Sequence, residues 1–214
     1  MPDAQKACKI CGTRRPKRFC PGVDGDICTV CCGTEREVTV NCPLDCPYLQ
    51  EARRREPERE IDPRQMPNAD IDVNEGFLSR NEPLLILLSA SIARNALAEG
   101  NVYDADVREA LTALIRTYRT LHSGLIYDSR PDNPLAARLY SGVQDTVDDI
   151  RRRLAEHAEA PPVRDDDVLG VLAFLERLEL QHSNGRPIGR AFIDFLRQFF
   201  PPEHPKPSGL IQTL

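Results

Sequence analysis

The sequence predicts a mainly α-helical protein with a small, zinc-bound, cysteine-rich domain at its N-terminus. All eight cysteines lie between Cys8 and Cys46 of the 214-residue chain. Between residues 81 and 200, apolar residues recur at helical spacing, and no stretch alternates as a half-buried strand does. The predicted segments are a zinc finger with a C-terminal helix at 1–56, a linker at 57–80, a roughly five-helix bundle at 81–200 and a flexible, proline-rich tail at 201–214.

Composition and charge argue against several classes of protein. No apolar run approaches the roughly 18 residues of a membrane span, and the first residues lack the apolar region of a secretory signal. We therefore expect a cytoplasmic protein that does not bind membranes. The net charge of −5 argues against a protein that coats nucleic acid with its whole surface, although it allows a local basic patch.

The cysteines are spaced as metal ligands. Disulfide bonds persist in oxidising compartments, and nothing in the sequence indicates export. Two CxxC pairs are separated by 16 residues, which is typical of two tight turns that present four thiolates to one tetrahedral ion. The predicted ligands of this first zinc ion are Cys8, Cys11, Cys28 and Cys31.

The other four cysteines predict a second zinc ion, and they interleave with the first set along the chain. They are Cys20, Cys32, Cys42 and Cys46. Successive side chains of an extended segment point to opposite sides, so we expect the adjacent Cys31 and Cys32 to serve different ions. Zinc bound by four thiolates has no open position for water or substrate. Both sites are therefore expected to be structural and to supply folding free energy that so small a segment lacks.

Two other uses of clustered cysteines remain open. Iron–sulfur clusters are also held by four cysteines, but the compact CxxCxxCxxxCP run of bacterial ferredoxins is missing, and only CPLDCP is similar to its end. A thiol switch, in which oxidation expels the metal, is the second alternative. Zinc agrees best with the two CxxC pairs.

Residues 8–32, CKICGTRRPKRFCPGVDGDICTVCC, resemble the B-box type of cross-braced double zinc finger. The resemblance rests on a leading CxxC, an aromatic residue before the next cysteine, and seven residues before the second CxxC; it covers about residues 6–50. It implies a small metal-held fold that makes protein contacts and has no catalysis of its own. B-boxes place histidines and often an aspartate in the second site. This chain has no histidine before His122, and Asp24 or Asp26 is an alternative second-site ligand.

A helix is predicted directly after the last cysteine. Asp45 is a candidate N-cap and Pro47 suits a first helical turn, so the helix is expected to run to about Arg55. The next segment, 57–80, contains three prolines and many charges. Its acidic residues fit a calcium loop poorly, because Gly76 lies one residue too late and the twelfth position is Asn81 rather than glutamate. A polar linker is the better interpretation.

Five helices are predicted between residues 81 and 200. Their expected starts are Asn81, Asp104, Asn133 with Pro134, Asp165 and about Pro187, and the last helix is expected to end at Phe200. The apolar stripe of the first helix is Leu84, Leu85, Leu88, Ile92 and Ala96, and that of the second is Val107, Leu111, Leu114, Tyr118 and Leu121. The third presents Leu135, Leu139, Val143, Val147, Ile150 and Leu154, and the last presents Ile188, Phe192, Phe195, Leu196 and Phe199.

Catalytic motifs are not found in the sequence. It has no nucleophile elbow, phosphate-binding glycine loop, zinc-protease motif or dinucleotide fingerprint, and its four histidines lie far apart. The loop at 122–134, with Tyr127, Asp128 and Arg130, is expected to be a plain helix connection, with a pocket lining as the alternative. We therefore predict a non-enzymatic protein without a small-molecule substrate.

A basic stretch of the finger is the predicted partner-binding surface. Its members are Lys9, Arg14, Arg15, Lys17 and Arg18. The predicted function is a protein–protein interaction or regulatory module with a protein partner, and nucleic-acid binding through the same residues is the alternative. The acid-rich composition of residues 19–50 would repel phosphates and favours the protein partner.

Overall fold

The computed structural model describes residues 7–56, 61–122, 129–156 and 161–202, without the side chains of Pro63 and His122. Most of the predicted tail, the loop residues Tyr127 and Asp128, and two of the histidines, His157 and His204, lie outside these ranges. The strands are β1 (Arg18–Cys20) and β2 (Gly25–Ile27). The helices are α1 (Thr29–Thr34), α2 (Pro47–Arg53), α3 (Glu75–Arg80), α4 (Glu82–Ala98), α5 (Asp104–His122), α6 (Pro134–Ala155), α7 (Asp165–His182) and α8 (Ala191–Phe199).

The protein is mainly α-helical, as predicted, and five of the described helices, α4 to α8, lie between residues 81 and 200. Helix α5 packs against both α6 and α7, while α4 packs against α6 and α8. Their apolar stripes form one core, with buried residues such as Leu88, Leu114, Leu139, Leu172 and Phe192. No helix in the described ranges combines the length and the apolar character of a membrane span.

Several predicted helix ends differ in the structure. Asn133 caps α6 as predicted, since its side chain accepts a hydrogen bond from the Leu135 N–H at 3.0 Å. Asn81 makes no such side-chain cap for α4; it donates to the Phe77 carbonyl at 3.2 Å instead. Helix α8 begins at Ala191 rather than Pro187.

Asp104 joins the start of α5 to the start of α8. Its buried carboxylate accepts the backbone N–H groups of Phe192 at 3.0 Å and Ile193 at 3.1 Å. Burial raises the pKa of this carboxyl to about 7, although the two N–H groups oppose the shift. The first turn of α8 thus receives its cap from α5 rather than from its own sequence.

The described part of the predicted linker packs along α5 and α7. The Arg177 guanidinium donates to the carbonyls of Asn68 at 2.6 Å and Ile71 at 2.8 Å, and Arg119 pairs with Asp70 at 2.7 Å. This segment also contains α3 and a 3-10 turn. The described part of the linker therefore has local structure of its own and contacts with the helices.

Candidate metal centre

The two CxxC pairs meet at one point of the N-terminal segment. One ligand atom from each of the four cysteines lies within 4.8 Å of the others. This first cluster is Cys8, Cys11, Cys28 and Cys31, and all but Cys11 are buried. The spacing prediction is confirmed to this extent: the four sulfurs are close enough to bind one metal ion.

Local backbone geometry places the two halves of the first cluster. The first CxxC ends in a tight turn in which the Gly12 N–H donates to the Cys8 carbonyl at 2.8 Å. Gly12 has a φ of +66°, a left-handed conformation that a residue with a Cβ adopts only at a cost. The second CxxC opens α1, with Cys28 as its N-cap. The antiparallel pair β1–β2 connects the two halves.

Backbone N–H groups stabilise charge on part of the cluster. The Cys28 N–H donates to the Cys8 sulfur at 3.2 Å. Burial would raise the pKa of the Cys8 thiol, but N–H groups from Cys11, Cys28 and Ile10 outweigh it and lower that pKa. The protein itself therefore stabilises the thiolate form of Cys8.

The four thiols do not ionise alike. A hydrogen bond from the Thr13 hydroxyl, reinforced by backbone N–H groups, lowers the pKa of Cys11 to about 5. Burial and the neighbouring cysteines raise the pKa of Cys31 to about 12. Since metals bind thiolates, loading this cluster must displace the protons that the buried thiols retain, and affinity is expected to fall in acid.

Two arginines of the predicted partner-binding surface also interact with cysteine sulfur. A hydrogen bond to Cys28 raises the pKa of Arg14. The Arg18 Nη1 lies 3.7 Å from the Cys32 sulfur, and its guanidinium carbon lies 3.8 Å from the centre of the Tyr48 ring. Of the predicted basic surface, four residues are exposed and Arg18 is half-buried; the exposed ones are Lys9, Arg14, Arg15 and Lys17. The Lys9 ammonium donates to the Asp24 carbonyl at 2.7 Å.

The second group of cysteines surrounds a small cavity of about 20 Å³. All four members, Cys20, Cys32, Cys42 and Cys46, line it together with Arg18. Burial raises the pKa of Cys42, and the charges of Glu37, Cys20 and Cys46 add to the shift. Among the described residues, however, the first cluster is the one group of three or more potential ligand atoms within 4.8 Å of one another.

The explanation predicted for the adjacent cysteines is wrong. Cys31 and Cys32 lie in α1 and not in an extended segment. Neighbouring residues of an α-helix are separated by about 100° around its axis, and this rotation directs them to different surroundings. Cys31 belongs to the first cluster, whereas Cys32 lines the small cavity.

Helix α2 starts one residue later than its predicted cap implies. Cys46, not Asp45, is the N-cap, and it makes no side-chain cap hydrogen bond. Asp45 instead pairs with Arg197 of α8. Asp45, which was predicted to cap α2, thus connects the start of α2 to α8.

The sequence does not predict a role for Glu37, which is the one buried acid among the described residues of the cysteine-rich segment, residues 7–56. It is only 2% exposed and has a φ of +52°. Its carboxylate accepts from the side chains of Arg53 at 2.6 Å and Asn184 at 2.8 Å, and from the Arg190 N–H at 3.0 Å. Its carbonyl accepts from the Ile188 N–H at 3.1 Å. No local pattern distinguishes Glu37 from a surface glutamate.

Asp194 of α8 completes the contact between the cysteine-rich segment and the helices. It is 3% exposed and forms an ion pair with Arg53. The Gln50 amide donates to it at 2.8 Å, and Arg197 donates at 2.9 Å. A buried ionic network therefore fixes α2 against α8.

Comparison with protein-family models, curated proteins and solved structures found no match to this chain. The resemblance to B-boxes therefore stays a prediction. The geometry of the cysteines and of their neighbours carries the functional interpretation.

Proposed function

We propose that the protein is a non-enzymatic, zinc-stabilised module that binds a protein partner or regulates one. The observation that carries the proposal is the convergence of four sulfurs from two CxxC pairs within 4.8 Å. Four thiolates are the ligand set of structural zinc sites, and they leave no position for water or substrate. Zinc in the first cluster would hold the exposed surface of the segment in one shape.

The proposal includes a second zinc ion held by Cys20, Cys32, Cys42 and Cys46. These four sulfurs line one cavity of about 20 Å³. Arg18 supports the assignment, because its Nε is buried without a hydrogen-bond partner and its Nη1 faces Cys32. A cation held in this way is expected beside a group of negative charge, which four thiolates around zinc would supply.

A protein partner is favoured over nucleic acid. Exposed apolar side chains accompany the basic residues of the segment, with Phe19 at 56%, Val30 at 47% and Tyr48 at 41% exposure. Arg18 is half-buried between the Cys32 sulfur and the Tyr48 ring, which leaves one cation fewer for phosphates. A cytoplasmic location and the lack of catalysis stay predictions.

Nucleic-acid binding is tested by filter binding of the full chain to RNA and DNA at two salt concentrations. We expect no affinity that depends on salt, since the four exposed cations of the predicted surface would release few counterions. Tight binding that weakens steeply with salt and is lost in the double variant Arg15→Glu, Lys17→Glu would replace the protein partner with nucleic acid. The fold should survive both changes, because these side chains are exposed.

Elemental analysis of the purified full chain, and of two variants with substitutions at adjacent cysteines, tests the metal assignment. About two zinc ions are expected in the unaltered chain, and about one each in Cys31→Ser and Cys32→Ser, because each serine removes a ligand from a different ion. One zinc ion in the unaltered chain, none in Cys31→Ser and one in Cys32→Ser would exclude the second site. Iron with visible colour would contradict zinc altogether.

A further inference from the structure

A second, larger cavity lies where the cysteine-rich segment meets the helices. This junction cavity has a volume of about 740 Å³, which is within the range of small-molecule sites. One wall is the C-terminal end of α2, and the others are the end of α7 with its following loop and one side of α8. It is separate from both groups of cysteines, none of which lines it.

An aromatic pair forms part of the wall. The rings of His182 and Phe195 stack with their centres 3.7 Å apart and their planes within 14°. Both residues line the junction cavity. The pair offers a flat surface beside polar side chains, which is the mixture that small-molecule sites use.

The buried acid of the junction cavity is already occupied by donors. One oxygen of Asp194 accepts from Gln50 at 2.8 Å and is paired with Arg53. The other oxygen accepts from Arg197 at 2.9 Å. The negative charge of Asp194 is thus held within the protein, and the other lining acid, Glu56, is exposed.

With its acids occupied or exposed, the junction cavity can still offer hydrogen-bond donors to a ligand. Three arginines line the junction cavity: Arg53, Arg54 and Arg186. The Arg53 Nη atoms are paired with Glu37 and Asp194, and its Nε, which has no hydrogen-bond partner, is buried and out of reach of a ligand. The Arg186 Nη1 donates to a backbone carbonyl at 2.5 Å, and a guanidinium has five N–H groups in all. The side chain of Arg54 is 71% exposed.

We propose that the junction cavity binds a small anionic ligand whose phosphate or carboxylate group accepts hydrogen bonds from Arg54 and Arg186. Guanidinium groups match the planar, two-oxygen edge of such anions, and charge-assisted hydrogen bonds are the strong ones. The aromatic pair would contact the rest of the ligand. This site is independent of the identity of the metal in the first cluster.

Calorimetric titration of the full chain with inorganic phosphate, and separately with succinate, tests the site. We expect one of the two probes to bind with one site per chain. Arg54→Ala should weaken that binding about tenfold, as expected for the loss of one charge-assisted hydrogen bond. Arg55→Ala is the matched control. Both arginines pair with Glu51 and are exposed, but Arg55 does not line the junction cavity, so its loss should change affinity less than twofold.

Each outcome of the titration has a defined meaning. Binding of phosphate alone assigns a phosphate-bearing ligand, and binding of succinate alone assigns a carboxylate. Heat from neither probe at tens of millimolar, or equal weakening by both variants, would overturn the proposal, because equal weakening is the result of unspecific surface charge. Zinc content is measured in the same samples, so that a negative titration with metal retained counts against the anion site alone.

Discussion

Removal of the metal from the first cluster is expected to unfold the cysteine-rich segment while α4 to α8 stay folded. Besides the cysteines, its two small apolar clusters contain only three buried residues, Ile27, Val40 and Leu49, among the residues that the structure describes. So small an apolar core cannot hold some 50 residues. Structural zinc sites bind with apparent free energies of about 10–16 kcal/mol, which is folding free energy when no site exists in the unfolded chain.

Hydrogen exchange of the full chain, before and after treatment with a strong chelator, measures this effect. Amides from Cys8 to Cys32 should lose protection when elemental analysis shows that the metal has gone. Amides of α5 and α7 provide the internal control, because both helices lie in the large helical core, to which the segment contributes Leu44. Retained protection of the segment in metal-free protein would show that the cysteines do not hold it together.

Replacement of Glu37 by alanine is expected to lower the free energy of unfolding by about 3–5 kcal/mol, the usual cost of breaking a buried ion pair on one side. The change leaves the side chains of Arg53 and Asn184 and the N–H of Arg190 without their acceptor. It also leaves the left-handed backbone at Glu37 in place. Urea unfolding at constant metal content measures the loss.

Two further variants separate the causes. Glu35→Ala removes a glutamate two positions away, whose carboxylate accepts only from the hydroxyls of Thr34 and Thr39 in the described contacts, and it should cost less than about 1 kcal/mol. Glu37→Gly removes the carboxylate but relaxes the left-handed backbone, so it should be slightly less harmful than Glu37→Ala. Equal losses for Glu35→Ala and Glu37→Ala would contradict a special role of the buried network.

Local signals account for what the sequence predicts well. The apolar stripe from Val107 to Leu121 lies on one side of α5, and four of its five residues are buried. The 3.6-residue spacing places them on the same side of the helix whichever element packs there. The first cluster is predicted for the same reason, since each CxxC is a local turn. The cap at Asn133 is also local, because its acceptor and the Leu135 N–H are two residues apart.

Tertiary contacts account for what the sequence does not predict. Residues 184–190 do not join α8, since Asn184, Ile188 and Arg190 donate to Glu37 instead. Phe199 continues the apolar stripe of α8 but is 63% exposed, whereas its neighbour Phe200 packs against the core.

The ion pair between Arg53 and Asp194 has a consequence for how this chain can change over evolutionary time. A domain that makes no direct contacts with its neighbour can be recombined into new proteins. Arg53 is held from two sides, by Glu37 in its own segment and by Asp194 in α8. If the N-terminal segment were moved into another protein, Arg53 would lose Asp194, one of its two acidic partners. We therefore expect the segment and α8 to be inherited together, and substitutions at these positions to occur in pairs.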